Sequence, residues 1–426
     1  VATRTANFAL EAGETVTCTF FNGEEGSITI VKETIGEDGT FEFTSGTLTP
    51  SPFNITTMSN TGSQIFSPLP PGLYDVAETV PVGWDLTSAS CDDGSLIGAI
   101  DLNGGENITC TFTNRQRGAL IVQKIAQGGD ATFGFGSFTL PTPFDSFDIV
   151  TSGGSGSVSV TDLIPGTYDV AETVIPAGWN LTGSSCSDGS LVTAIDIAAG
   201  ETVTCTFTNQ REGDITIVKD TVGADGTFDF TTSNLPGGNF NITTTGNNGS
   251  LNFTGLQPGV FDVAEVIPAG WQLTGLVCVD PTGNTMVNAG AGTASINLDP
   301  GESISCTFTN TQDGTLIVRK ITDPSGSMQT FSFTGALGNF NLLDGQNNSG
   351  NLAPGVYSVA EIVPAGWLLA SATCDDGSAV SAIDLSAGEI VTCTFLNSVD
   401  ASITIVKNTI GENGTFEFTS GTLTPS

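Results

Sequence analysis

Histidine is absent from the 426 residues, and only ten residues are basic. The first absence removes the commonest general base and the commonest metal ligand. The second excludes a nucleic-acid partner, because 45 acidic residues and a formal net charge of −35 repel a phosphate backbone. No apolar run reaches the ~18 residues that span a bilayer, so no membrane span is expected. Long Ala/Leu/Glu/Lys stretches are missing as well. The opening residues VATRTANFALEAGETVTC lack an initiator Met and a basic-then-apolar leader, and no anchor signal closes the chain. Both ends therefore read as cut from something longer.

Glycine is abundant, at 54 residues, and Thr, Ser and Asn are plentiful. That composition predicts many short strands joined by turns, an all-β chain. Charged residues make up only 13%, too few for a disordered polyacid.

One pattern recurs along the chain: an ITIVK-type strand, a TFxF strand, PGxYDVAE, PxGW, a Cys, and a CTFTN strand. The opening strand ends at Lys32, Lys124, Lys219, Lys320 and Lys407, and the closing strand at Asn22, Asn114, Asn209, Asn310 and Asn397. Four complete domains follow, at 26–114, 118–209, 213–310 and 314–397. Residues 1–22 read as the C-terminal part of a preceding repeat and 401–426 as the N-terminal part of a following one. Ser27–Ser51 and Ser402–Ser426 differ at only two of 25 places, Glu33/Asn408 and Asp38/Asn413. A four-domain unit that itself repeats accounts for this. Phe21 and Leu396 agree, standing where the other copies have Thr. Linkers of about four residues predict beads on a semi-rigid string.

Strand parity points to chemistry. Side chains alternate faces with period two, so Ile28, Ile30 and Lys32 share a face, as do Tyr74, Val76 and Glu78, and Cys110, Phe112 and Asn114. Each domain thereby aims a Lys, a Glu and an Asn inward: Lys32, Glu78, Asn114; Lys124, Glu172, Asn209; Lys219, Glu265, Asn310; Lys320, Glu361, Asn397. All five lysines of the chain occupy this one position. An isolated ammonium in a β core is costly and needs partners. A desolvated lysine with a lowered pKa could attack the Asn side-chain carbonyl, with a protonated Glu polarising it, to give an isopeptide bond. A buried Lys–Glu ion pair with Asn as hydrogen-bond partner, or a lysine reaching water at the sheet end, uses the same residues.

These motifs resemble the prealbumin-like (collagen-adhesin B-type, SpaA-type) tandem repeats of bacterial or archaeal surface fibre and adhesin proteins. The matching residues are Lys32 in SITIVK, Glu78 in PGLYDVAETVPVGW and Asn114 in TCTFTN, with counterparts in each copy. The resemblance covers essentially the whole chain. It implies an Ig-like, seven-strand or similar antiparallel-rich β-sandwich, a Lys–Asn bond with an acidic catalyst, and stacking into pili and adhesin stalks. A Cys pair in each domain departs from that pattern.

The nine cysteines pair by position as Cys91–Cys110, Cys186–Cys205, Cys278–Cys306 and Cys374–Cys393, leaving Cys18, whose counterpart lies upstream. Four disulfides imply an oxidising, extracellular or cell-surface location and contribute roughly 3 kcal/mol each. Zinc is the competing use of these thiols, but CxxC spacing and His are both missing. No metal site or cofactor is assigned. Calcium at the acidic turns Asp92-Asp93-Gly94, Asp188-Gly189 and Asp375-Asp376-Gly377 competes with plain solvated turns.

Trp84, Trp179, Trp271 and Trp367 each follow Pro-x-Gly. They either plug one end of the core or offer a sugar-stacking platform. Sequons at Asn54, Asn107, Asn180, Asn241, Asn248, Asn252, Asn347 and Asn413 are candidate glycosylation sites. The expected function is a structural element of a surface filament or adhesin stalk, with neighbouring copies of the same repeat as partners. An array binding glycans or a host protein is the alternative. An enzyme is not expected beyond the self-catalysed bond.

Overall fold

The computed structural model describes residues 7–19, 23–399 and 403–421. Phe21 and Asn22 lie outside these. Strands form wherever the period-two pattern runs between turn residues, and no helix forms among the described residues. None is therefore present that is long and apolar enough to cross a membrane.

Each repeat builds two facing sheets from the same parts. In repeat 1, a four-stranded sheet runs Thr61–Leu69, Gly26–Ile35, Asn107–Gln116, Trp84–Cys91. The opening strand Gly26–Ile35 lies parallel to the closing strand Asn107–Gln116, and the outer pairings are antiparallel. The second sheet runs Phe53–Thr56, Thr40–Thr44, Ala77–Thr79. A short pair, Gly72–Tyr74 with Ile100–Leu102, extends this side. Between the sheets sit Ile28, Ile30, Phe41, Phe43, Ile100, Ile108 and Phe112, all essentially inaccessible to solvent. Burying such side chains contributes roughly 1.5–3 kcal/mol each.

Each repeat has nine strand segments where the sequence suggests about seven. One of the added segments comes from the PGxY…VAE stretch, which breaks after the tyrosine in repeats 1, 2 and 4. Its two halves join different partners. In repeat 3 the same segment is one strand, Gly259–Val266, within a five-stranded sheet. There the longer cysteine spacing of 28 residues supplies one extra strand, Met286–Asn288, beside Thr293–Leu298, the counterpart of Ile100–Leu102.

The described parts of the partial copies, 7–19 and 403–421, form no strand. Lys407, in the partial copy, is exposed, with its Nζ 4.4 Å from the centre of the Phe416 ring.

The chain divides into two compact units. The first runs to Gly213 and includes Thr254–Pro258 and Asp299–Glu302; the second holds the remainder.

Candidate functional site

Three strands position the site in every repeat. The opening strand alternates buried and half-exposed residues, which turns Lys32 inward with Ile28 and Ile30. Parallel register sets Lys32 beside Phe112 and Thr34 beside Asn114, so the lysine and the asparagine share one face two residues apart. The glutamate comes from the facing sheet, where Glu78 pairs with Phe43. Equivalent registers hold the other three sets.

Lys32, Lys124, Lys219 and Lys320 are 0% exposed, as are the four asparagines Asn114, Asn209, Asn310 and Asn397. Each lysine Nζ lies 3.5–3.7 Å from a glutamate Oε1 whose side chain is equally buried: Glu78, Glu172, Glu265 and Glu361. Lys32 Nζ donates to the carbonyls of Phe112 (2.9 Å) and Glu33 (3.1 Å), and its counterparts do likewise. The amide closes the triangle in two ways. Asn114 and Asn310 donate from Nδ2 to the glutamate at 2.7 and 2.8 Å. Asn209 and Asn397 accept from the lysine at 2.8 and 2.7 Å. Sequence parity thus brings together all twelve residues it singles out.

Burial dominates the electrostatics. Desolvation lowers all four lysine pKa values, with the neighbouring glutamate opposing it; Lys124 and Lys219 fall to about 8. Desolvation likewise raises the pKa of Glu78, Glu172, Glu265 and Glu361 above the usual carboxylate range, against the pull of the lysine. Both shifts favour the neutral pair, an amine beside a carboxylic acid. Polar atoms stay without hydrogen bonds in every copy, among them Glu78 Oε2, Asn114 Oδ1, both Glu172 oxygens and Asn209 Nδ2. Buried orphans of this kind are rare and costly.

One participant is not visible to strand parity. The first phenylalanine of each TFxF strand lays its ring beneath the amine: Phe41, Phe133, Phe228 and Phe331 have centroids 4.1–4.6 Å from Nζ. Each ring meets the edge of the repeat's tryptophan at 5.0–5.3 Å. The tryptophans therefore buttress the floor of the site, and Trp179 is only 8% exposed. Conservation of the TF dipeptide across copies was the available signal.

A charge experiment isolates the pair. Lys219→Met strands Glu265 in the core, whereas Lys219→Met with Glu265→Leu removes both charges. Neither protein can couple Lys219, and the single variant is expected to be less stable by about 3 kcal/mol at neutral pH. Glu265 carries a raised folded pKa, so the single variant's deficit is absent below pH 4.5, the ordinary value. It then grows as pH rises from there to the folded value. Paired denaturant melts across that range check the expectation.

The eight inward cysteines form the disulfides Cys91–Cys110, Cys186–Cys205, Cys278–Cys306 and Cys374–Cys393, each directly opposite across an antiparallel pair. Cys18 is free and exposed. At the acidic turns, Asp93, Asp188 and Asp376 accept from the amide and hydroxyl of the serine two residues on. Among the described residues no group of three or more His, Cys, Asp or Glu gathers to hold a metal. The sequon asparagines Asn54, Asn107, Asn241, Asn248, Asn252, Asn347 and Asn413 are exposed. Asn180 is half-buried, and its amide donates to Glu212 at 2.8 Å.

Comparison with known proteins adds the family context. Residues 28–116, 120–211 and 215–312 match one model of a prealbumin-like fold domain, and 328–395 match a second model of the same description. Among curated proteins none matches. Similar solved structures include the TIE protein of Bacillus anthracis, at 17% identity over 87% of this chain and 75% of that one, TM-score 0.28. The pilus adhesin SpaC of Lactobacillus rhamnosus GG, in its open conformation, aligns at 15% identity over 90% of this chain, TM-score 0.29. The chain spans 57% of that adhesin's length. BcpA, the major pilin subunit of Bacillus cereus, aligns at 13% identity over 67% of this chain and 100% of its own, TM-score 0.27.

Proposed function

The chain belongs to the prealbumin-like fold family, and on that premise we propose that it is a load-bearing segment of an extracellular surface filament or adhesin stalk whose repeats close by Lys–Asn isopeptide bonds. The observation that carries this is the fourfold recurrence of a fully buried amine beside a buried carboxyl and a buried amide. The role is structural, with no external substrate.

The chemistry needs no reagent from outside. The neutral Lys Nζ attacks Asn Cγ, and the glutamic acid stabilises the developing oxyanion by donating its proton. The carboxylate so formed takes a proton from Nζ, and the Asn Nδ2 departs protonated. One C–N bond forms, one breaks, and ammonia leaves. The reaction also carries three polar hydrogens, as ammonia, out of a core that leaves several polar atoms without hydrogen bonds.

Proton counting sets the pH dependence. The amine/acid pair holds the same number of protons as the ammonium/carboxylate pair, so coupling runs at a constant rate across neutral pH. It slows in acid, where the pair gains a proton, and in alkali, where the glutamic acid loses its own. Ammonia release from freshly folded chain, followed by mass against pH, is expected to give that plateau with two falling limbs. A rate climbing steadily through pH 10 would remove the glutamate from the mechanism.

Placement of the bond explains the proposed mechanics. The opening and closing strands are the entry and exit of each repeat, and they lie side by side in parallel. A bond from Lys124 to Asn209 routes tension past everything between them. The Cys186–Cys205 disulfide lies inside that bypassed stretch. The disulfides then stiffen the fold without carrying the load, and acidic surfaces with exposed sequons suit an extracellular setting.

A further inference from the structure

The structure holds a second feature that recurs, at the join between repeats. Repeat 1 ends at Gln116 and repeat 2 begins at Gly118, which leaves Arg117 as the whole linker. That residue is not loose. Its amide donates to Gly83 O at 2.8 Å, and its guanidinium grips Asp85 through bonds of 2.6–3.1 Å. In the second unit Asp313 stands alone between Gln312 and Gly314. It donates to Gly270 O at 2.9 Å and accepts from Gln272 at 2.7 Å.

Beside each linker, one glutamine is held between two glycines from different repeats. A methyl group on Gly36 of repeat 1 would stand 2.7 Å from Gln116 Cβ and 2.8 Å from its Oε1. One on Gly200 of repeat 2 would collide with the same Oε1. That oxygen also accepts from Glu37 N at 2.8 Å. In the second unit a methyl group on Gly223 would stand 2.9 Å from Gln312 Cβ, and one on Gly388 would stand 2.5 Å from its Oε1. All four glycines have positive φ, between 71° and 119°, so other residues would be strained there as well. Two turns from separate repeats thus reach within contact of one side chain at the join of repeats 1 and 2 and at the join of repeats 3 and 4.

We infer that repeats 1 and 2 form one locked pair, and repeats 3 and 4 another, with Gln116 and Gln312 as the keys that fix the angle between neighbours. The lock is independent of the isopeptide bond: its residues lie outside the lysine site and its bonds are non-covalent. Its consequence is mechanical. A rod segment bends where repeats swing, and a filled glycine–glutamine–glycine joint removes that freedom within each pair.

Distance measurement between repeats tests it. Met58 and Leu191 are 77% and 72% exposed, one in each of the first two repeats. In the full chain carrying Cys18→Ser, nitroxides at Met58→Cys and Leu191→Cys are expected to report a single narrow distance distribution by pulsed electron resonance. Gln116→Ser empties the joint and removes the acceptor of Glu37 N, with no residue of either turn changed, and is expected to lose the narrow peak. Retention of that peak in Gln116→Ser, or a broad distribution in the parent, overturns the lock. Should Gln116→Ser fail to fold, Gly200→Val is read in the same way. Intact mass of the same labelled samples reports the isopeptide bonds separately, so failure of one proposal is distinguishable from failure of the other.

Discussion

Pulled from its two ends, the parent chain is expected to rupture without any repeat-sized lengthening step. With Lys124 bonded to Asn209, the 85-residue interval between them cannot pay out. At a contour of ~3.5 Å per residue that interval would otherwise release about 300 Å. Asn209→Ala removes the acceptor carbon and restores one such step. The Cys186–Cys205 bridge, 19 residues apart, then withholds roughly 65 Å of it until reductant is added. Reductant is expected to leave the parent trace unchanged, because the disulfide lies off the load path. A parent chain that lengthens in four large steps would place the load on hydrogen bonds alone.

The second large effect is thermodynamic. Glu172→Gln keeps the shape of the side chain and its burial but removes the acid that polarises the Asn209 carbonyl. Coupling in repeat 2 is expected to stop. Cross-linking a loop of about this size restricts the unfolded chain by roughly 4–5 kcal/mol, and that stabilisation is lost with the bond. The other three repeats keep theirs, so melting is expected to split, with one transition well below the rest. Calorimetry of the Glu172→Gln chain against the parent checks this, and equal melting of all repeats in both proteins would contradict it.

Much of the site was legible before any coordinates. Lysine appears five times and always at one register position, which is a census rather than a similarity argument. Strand parity then put Lys32, Glu78 and Asn114 on inward faces, and the register delivers them to one point. The alternation of buried and exposed residues in Gly26–Ile35 and Asn107–Gln116 carries the sandwich in the same way.

Other features depend on contacts that period-two patterns do not encode. The break in PGxYDVAE follows from which sheet each half pairs with, a tertiary choice. Phe41 reaches the amine from the facing sheet and Trp84 meets Phe41 from the lysine's own sheet, a convergence that strand parity alone does not give. The glycines at 36 and 200 read as ordinary turn residues. Only the approach of two repeats shows that a side chain has no room there.

Everything mechanical in this account rests on a bond between two side chains that the sequence alone writes as separate. Intact mass of the purified, oxidised chain tests it most directly, followed by fragment mapping of the joined peptides. The account predicts a deficit of one ammonia for each of the four repeats beyond the disulfide hydrogens, with Lys124 recovered on the same fragment as Asn209. A mass short of nothing but the disulfide hydrogens would contradict it, and the four lysines would then be buried ion pairs.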